Sequence, residues 1–223
     1  MKYNFDIKID RTKDNDMHWN KEYLSKKYNI DINKPIYSFW MGDADFPMPG
    51  NVIDALKNRA GVGIFGYSFL SDNWYKSIVE WNKEFFNVDV KTEDIIYAQD
   101  TLIALSNTIN AFTSKGDSII VTTPVFGPFE DIVKNTDRSL IVNKLIYKNK
   151  KFEIDYKAFE EQIIKNKVKL FIFCNPHNPG GSVWKESDLQ KILDICKKHN
   201  VFIFSDEVHR DFVYNRKDFK SFY

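Results

Sequence analysis

Three short runs of unbroken apolar residues, IIV (119–121), LFIFC (170–174) and VFIF (201–204), most restrict what this chain can become. A strand with one wet face alternates apolar and polar residues, whereas a run without alternation is buried on both faces. Such strands belong to a mostly parallel sheet with helices packed on either side. The intervening segments fit. Residues 71–86 put Trp74, Ile78, Trp81 and Phe85 on one helical face, with Ser71 as its cap. IIYAQ (95–99) reads as a short buried strand, and Asp100 then caps a helix over 101–113. Strands are expected at 118–124, 139–147, 170–176 and 201–208. Helices are expected at 127–135, after Asp155, and over 187–200 with Leu189, Ile192, Leu193 and Cys196 inward. The expected fold is α/β, a three-layer, mostly parallel sheet with helices on both faces. The first 40 residues are polar and aromatic with weak periodicity, and read as an arm or a piece of a second domain.

Composition narrows the function classes. Lys and Arg number 32 against 31 Asp and Glu, a formal net charge of +1, so no global field draws the chain to nucleic acid or anionic lipid. With 43 % hydrophobic and 16 % aromatic residues, the chain has the means to build a core and is not of the disordered class. No apolar run approaches the ~18 residues of a membrane span, and MKYNFDIKIDR is too charged for a secretory signal. The two cysteines, Cys174 and Cys196, make no disulfide or metal framework, which fits a reducing compartment. A cytoplasmic location without nucleic-acid or membrane partners is expected.

Ligands of parallel sheets gather beyond the carboxyl ends of the strands. After 170–174 comes CNPHNPGGSVW (174–184), where two Asn-Pro pairs and two glycines force a tight turn that presents Asn178 at the strand tip. Taken alone, this is also compatible with an ordinary strand-to-helix connection. After 201–204 comes SDEVHRDFVY (205–214), whose Asp206 could be a helix cap or part of a site. A metal site is disfavoured, because no further His, Cys or acid lies at ligand spacing and His18, His177 and His199 are scattered.

The two segments together, NPHNPGG and then FSDEVH one helix later, resemble the large domain of fold-type-I pyridoxal-phosphate (PLP) enzymes, the aminotransferase class I/II superfamily. WMGDADF (40–46), GIFGYS (63–68), TPVFGPF (123–129) and the opening DRTKDNDMHW resemble its cystathionine β-lyase (C–S lyase) subgroup. The resemblance implies the cofactor pyridoxal 5′-phosphate and a set of roles. Asp206 pairs with the pyridinium nitrogen and keeps the ring an electron sink. Asn178 donates to the ring phenolate oxygen, and His209 stands near the same atom. Phe126 stacks on the ring. Thr101 and Leu102 offer backbone N–H groups and a positive helix end to the phosphate. Tyr67 reaches the phosphate of a neighbouring subunit, since these enzymes are homodimers. Asp43 and Asp45 shape the substrate entrance. Asp100 departs from the family's small residue and must turn away to cap the helix, because a carboxylate repels a phosphate dianion.

The superfamily's Schiff-base lysine falls beyond Tyr223, and Lys217 and Lys220 come too early to replace it. The resemblance thus implies an N-terminal fragment that lacks this lysine, with residues 1–50 as an arm and part of a small domain and 51–223 as a cofactor-binding large domain, incomplete at its C-terminus. The expected parent activity is cleavage of L-cystathionine or cysteine S-conjugates to pyruvate, ammonia and a thiol, with this chain alone inactive. The alternatives are an aminotransferase on the same fold and a non-catalytic binding or regulatory protein.

Overall fold

The computed structural model describes residues 3–39 and 42–223, so Trp40 and Met41 of the WMGDADF segment lie outside the described residues. The chain divides into two compact units, Met1–Ser68 and Phe69–Tyr223. In the first, helix α1 (Lys21–Tyr28) is capped by Asn20, whose side chain accepts from the Tyr23 N–H, and α2 spans Gly50–Gly61. Asp43 and Asp45 are gathered by one guanidinium: Arg11 pairs with Asp43, with Asp45 at 3.3 Å and with Asp16 at 2.5 Å. The Trp19 indole also donates to Asp45 at 3.1 Å. These two acids are therefore structural partners of the N-terminal segment.

The second unit carries the sheet. Its elements in chain order are α3 (Asp72–Phe86), α4 (Thr101–Phe112), β1 (Ser118–Thr123), α5 (Pro128–Asn135), β2 (Ser139–Lys144), β3 (Ile146–Lys148), β4 (Lys151–Glu153), α6 (Tyr156–Asn166), β5 (Leu170–Cys174), α7 (Glu186–Lys198) and β6 (Phe202–Asp206). Four strands pair in parallel in the order β2-β1-β5-β6, so all their carboxyl ends emerge on one edge. β5 lies in the middle, and each of its five residues is buried.

Alternation along β1 and β5 builds two cores. Ile120, Phe171 and Phe173 point to one face, where α6 and α7 contribute Phe159, Ile163, Leu189, Ile192 and Cys196. Ile119, Val121, Leu170, Ile172 and Cys174 point to the other, against Leu105 and Ile109 of α4 and Phe129 and Val133 of α5. This is the three-layer α/β architecture expected from the unbroken apolar runs. Each fully buried Phe or Ile contributes about 1.5–3 kcal/mol of transfer free energy. α6 begins where the sequence requires it: the Asp155 carboxylate accepts from the Ala158 N–H at 3.0 Å.

Four local expectations fail. IIYAQ (95–99) is extended but joins no sheet among the described residues; Ile96 is 90 % exposed, because no neighbouring strand covers it. The run 139–147 is two strands. β2 ends at Lys144, and β3 turns away to form an antiparallel hairpin with β4. Leu193 of α7 is exposed, because the inward face narrows to Leu189, Ile192 and Cys196. Ser71 stands at the N-cap of α3, but its side chain makes no capping bond.

Because Phe171 is fully buried between α6 and the sheet, Phe171→Ala is expected to lower unfolding stability by about 3–5 kcal/mol. Val142→Ala, on the partly exposed edge strand β2, should stay within about 1 kcal/mol. Urea unfolding of both variants checks this.

Candidate active site

Three strand tips converge on the carboxyl edge of the sheet: Pro124–Phe126 after β1, Asn175–Gly181 after β5, and Glu207–His209 after β6. Register places Cys174 beside Asp206, and the Asn175 N–H donates to the Asp206 carbonyl at 2.9 Å. Asn175, 1 % exposed, secures this edge. Its Nδ2 donates to the Lys220 carbonyl at 3.0 Å, and its Oδ1 accepts from the Trp184 N–H at 3.2 Å. The segment after β6 is held against α3 by aromatic contacts. The Arg210 guanidinium lies 4.7 Å from the Phe86 ring, Arg216 lies 4.3 Å from Phe85, and the Trp81 indole donates to Asp211 at 2.9 Å.

Asp206 and Thr101 line one open cleft of about 530 Å³, together with Asp100, Ser205, Glu207 and Arg210. Asp206 is 6 % exposed, and its carboxylate accepts the Val208 N–H at 3.0 Å. No cation pairs with it among the described residues, although the charge of His209 acts on it favourably. Burial, the largest influence, therefore raises its pKa above the ordinary carboxylate value. Glu207 is likewise raised by burial, while Ser205 and Ser221 hydroxyls donate to it at 3.1 and 3.0 Å. Across the cleft, Asp100 caps α4: its carboxylate accepts from the Ile103 N–H at 2.8 Å, as its position before the helix requires. The Thr101 and Leu102 N–H groups find no acceptor among the described residues. They are free donors at the positive end of a 12-residue helix.

Asn178 and His209 line a different cavity, of about 800 Å³, with His177, Trp184, Lys217 and Lys220. The structure thus pairs Asp206 with Thr101, and Asn178 with His209, in two separate hollows of the same edge. Phe126 is partly exposed at the β1 tip, its ring perpendicular to Phe129 at 5.4 Å. Leu102, partly buried, packs its side chain against the core that α4 and α5 cover. Tyr67 belongs to the first unit and is fully exposed. The sequence reading did not single out Glu207, Arg210 or His177. The first two flank Asp206 in the same motif, and His177 stands between the two Asn-Pro pairs, so position was the available signal. Among the described residues no group of His, Cys, Asp and Glu could hold a metal ion, and no helix is long and apolar enough to cross a membrane.

The residues fit a PLP-type group in two respects. A buried carboxylate without a cation suits a protonated ring nitrogen, and free N–H groups at a helix start suit a phosphate. Comparison with known proteins agrees. Cystathionine β-lyase PatB of Bacillus subtilis is 33 % identical over 208 residues, which are 93 % of this chain and 52 % of PatB. A PLP-bound protein of Clostridium difficile 630, regarded as an aminotransferase, superposes with TM-score 0.85 at 40 % identity, covering 94 % of this chain and 53 % of that one. Cystalysin of Treponema denticola, whose crystal structure contains pyridoxal 5′-phosphate, gives TM-score 0.85 at 32 % identity, covering 95 % and 53 %. The chain spans about half the length of the curated relatives it matches. The PLP-dependent family described as aminotransferase class I and II matches residues 41–222, and this chain belongs to it.

Proposed function

We propose that these residues form the cofactor-binding part of a PLP-dependent carbon–sulfur β-lyase acting on L-cystathionine or a related cysteine S-conjugate. The observation that carries the reading is the shared cleft of Asp206, a buried carboxylate with no paired cation, and the free first turn of α4. The similarity to the cystathionine β-lyase PatB supports the lyase chemistry. A second reading, an aminotransferase on the same fold, draws support from the 40 % identity to the C. difficile protein.

When bound, PLP supplies an electron sink for chemistry at the α-carbon of an amino acid. The chain's own residues would do the rest. Asp206 holds a proton on the ring nitrogen, because a low-dielectric carboxylate gains most from a cationic partner. The Thr101 and Leu102 N–H groups bind the phosphate oxygens, while Asp100 stays turned to Ile103 and keeps its charge off them. Phe126 covers one ring face and excludes water. Asn178 and His209 act on the ring phenolate oxygen. Residues 1–50 serve as an arm and part of a small domain, 51–223 as the large domain. The Schiff-base lysine comes from outside these 223 residues, since Lys217 and Lys220 come too early in the sequence to replace it. The working enzyme is a cytoplasmic homodimer in which the exposed Tyr67 reaches the partner's phosphate site.

The full-length enzyme carrying these residues is expected to release pyruvate from L-cystathionine with no keto acid added, and this chain alone to bind without turnover. Amino transfer to an added keto acid, with no pyruvate, would overturn the lyase reading. A second expectation concerns Asp206→Asn. Removing the charge should weaken binding of pyridoxamine 5′-phosphate about 10- to 100-fold, the range of a charged hydrogen bond. That probe has the ring and phosphate of PLP but no aldehyde for surface lysines to capture. The same variant should be more stable without ligand at pH 7, by on the order of 1 kcal/mol. The sign follows from the raised pKa. The stability due to Asp206 is present at low pH and is lost as pH rises through its folded-state pKa, where an unpaired buried charge appears. Calorimetric titration and thermal melting across pH 4–8 check both parts.

A further inference from the structure

The chain leaves β1 to form β2 on one side and later returns to place β5 on the other. The crevice between the β1 and β5 tips is thus the topological switch point, where open α/β sheets hold ligands. A side-chain bond crosses it: His177 Nε2 lies 2.9 Å from the Pro124 carbonyl oxygen. A carbonyl only accepts, so Nε2 carries the proton and Nδ1 is bare. Nδ1 indeed has no partner among the described residues. The imidazole is 2 % exposed, and burial lowers its pKa below the ordinary histidine value, which keeps it neutral.

Its seat is tight. The Phe152 and Trp184 rings stand edge-on at 5.6 and 5.7 Å. A Cβ on Gly180 would lie 2.3 Å from His177 Nδ1 and 2.7 Å from Phe152 Cδ2, so only glycine leaves room for the imidazole. The His177 backbone is pinned as well: its N–H donates to the Ser182 carbonyl and its carbonyl accepts the Gly181 N–H, both at 2.8 Å. Pro124 precedes Phe126 by two residues, and His177 immediately precedes Asn178.

We propose that His177 is a positioning residue of the cofactor-ring site: by tying the β5 tip to the β1 tip, it sets the gap between Asn178 and Phe126. The proposal rests on the roles given to those two residues above. A merely structural histidine would change stability but not the affinity of the folded molecules, and this separates the two.

The test titrates this chain with pyridoxamine 5′-phosphate, well below the melting temperature, following tryptophan quenching and the circular dichroism induced in the bound ring. His177→Leu, which removes the donor, is expected to weaken binding about tenfold, one lost buried hydrogen bond, and to change the induced signal. His177→Gln, whose amide Nε2 can reach the same carbonyl, should return affinity to within about threefold of wild type. Gly180→Ala keeps the imidazole but crowds it, and should resemble His177→Leu; if His177→Leu does not fold, this variant decides. Wild-type affinity and signal in a folded His177→Leu (or, failing that, in Gly180→Ala), or a Gln variant no better than Leu, would overturn the proposal and leave the ring-site reading intact. A wild-type chain that does not bind the probe overturns both.

Discussion

Burial of β5 on both faces is the constraint from which the rest follows. Leu170 through Cys174 cannot carry a polar side chain at any position, because both faces are packed by helices. Polar chemistry can therefore begin only at Asn175, where the strand leaves the core. Since β5 lies between β1 and β6, that exit is adjacent to the Pro124 tip on one side and to Asp206 on the other. Along β5, the candidate site is therefore the first place where the core permits a polar side chain.

The price of such a site is visible in Asp206. A carboxylate taken out of water with one backbone N–H as its direct hydrogen-bond partner weakens the fold. Its neighbours give its carboxylate no side-chain hydrogen bond: Glu207 accepts from Ser205 and Ser221, and Arg210 leans on Phe86 and lies 4.0 Å from Glu207. At the opposite side of the cleft, Asp100 resolves a comparable conflict locally by capping α4. Two acids a short way apart thus have different status, one satisfied by its own helix and one held for a cation. Local rules are broken at functional sites more often than elsewhere, and Asp206 breaks one where Asp100 does not.

Much of this was legible in the residues. Unbroken apolar runs revealed the central strands, and Asp100 and Asp155 announced the helices they cap, because capping depends on chemistry a few residues away. What stayed hidden depended on distant parts of the chain. IIYAQ has the composition of a strand but no strand beside it, and strand formation requires a partner. Residues 139–147 look continuous, yet the chain turns at Leu145 because Ile146–Lys148 finds a partner in Lys151–Glu153 instead of the main sheet. For the site, the motifs named Asp206, Asn178 and Thr101 without revealing that they divide between two hollows. His177 was invisible as a bridge, since Pro124 lies 53 residues away and nothing local marks that pairing.

The two faces of β5 differ in bulk: Phe171 and Phe173 on one, Leu170, Ile172 and Cys174 on the other. A slip of one residue along its neighbours would exchange these sets, driving phenyl rings into space shaped for smaller groups and leaving voids opposite. The strand is therefore keyed, like a rod that enters its lock at a single depth. That depth decides where Asn175, His177 and Asn178 emerge relative to Asp206. The spacing of the polar groups at the edge is measured out by phenylalanines that never reach it.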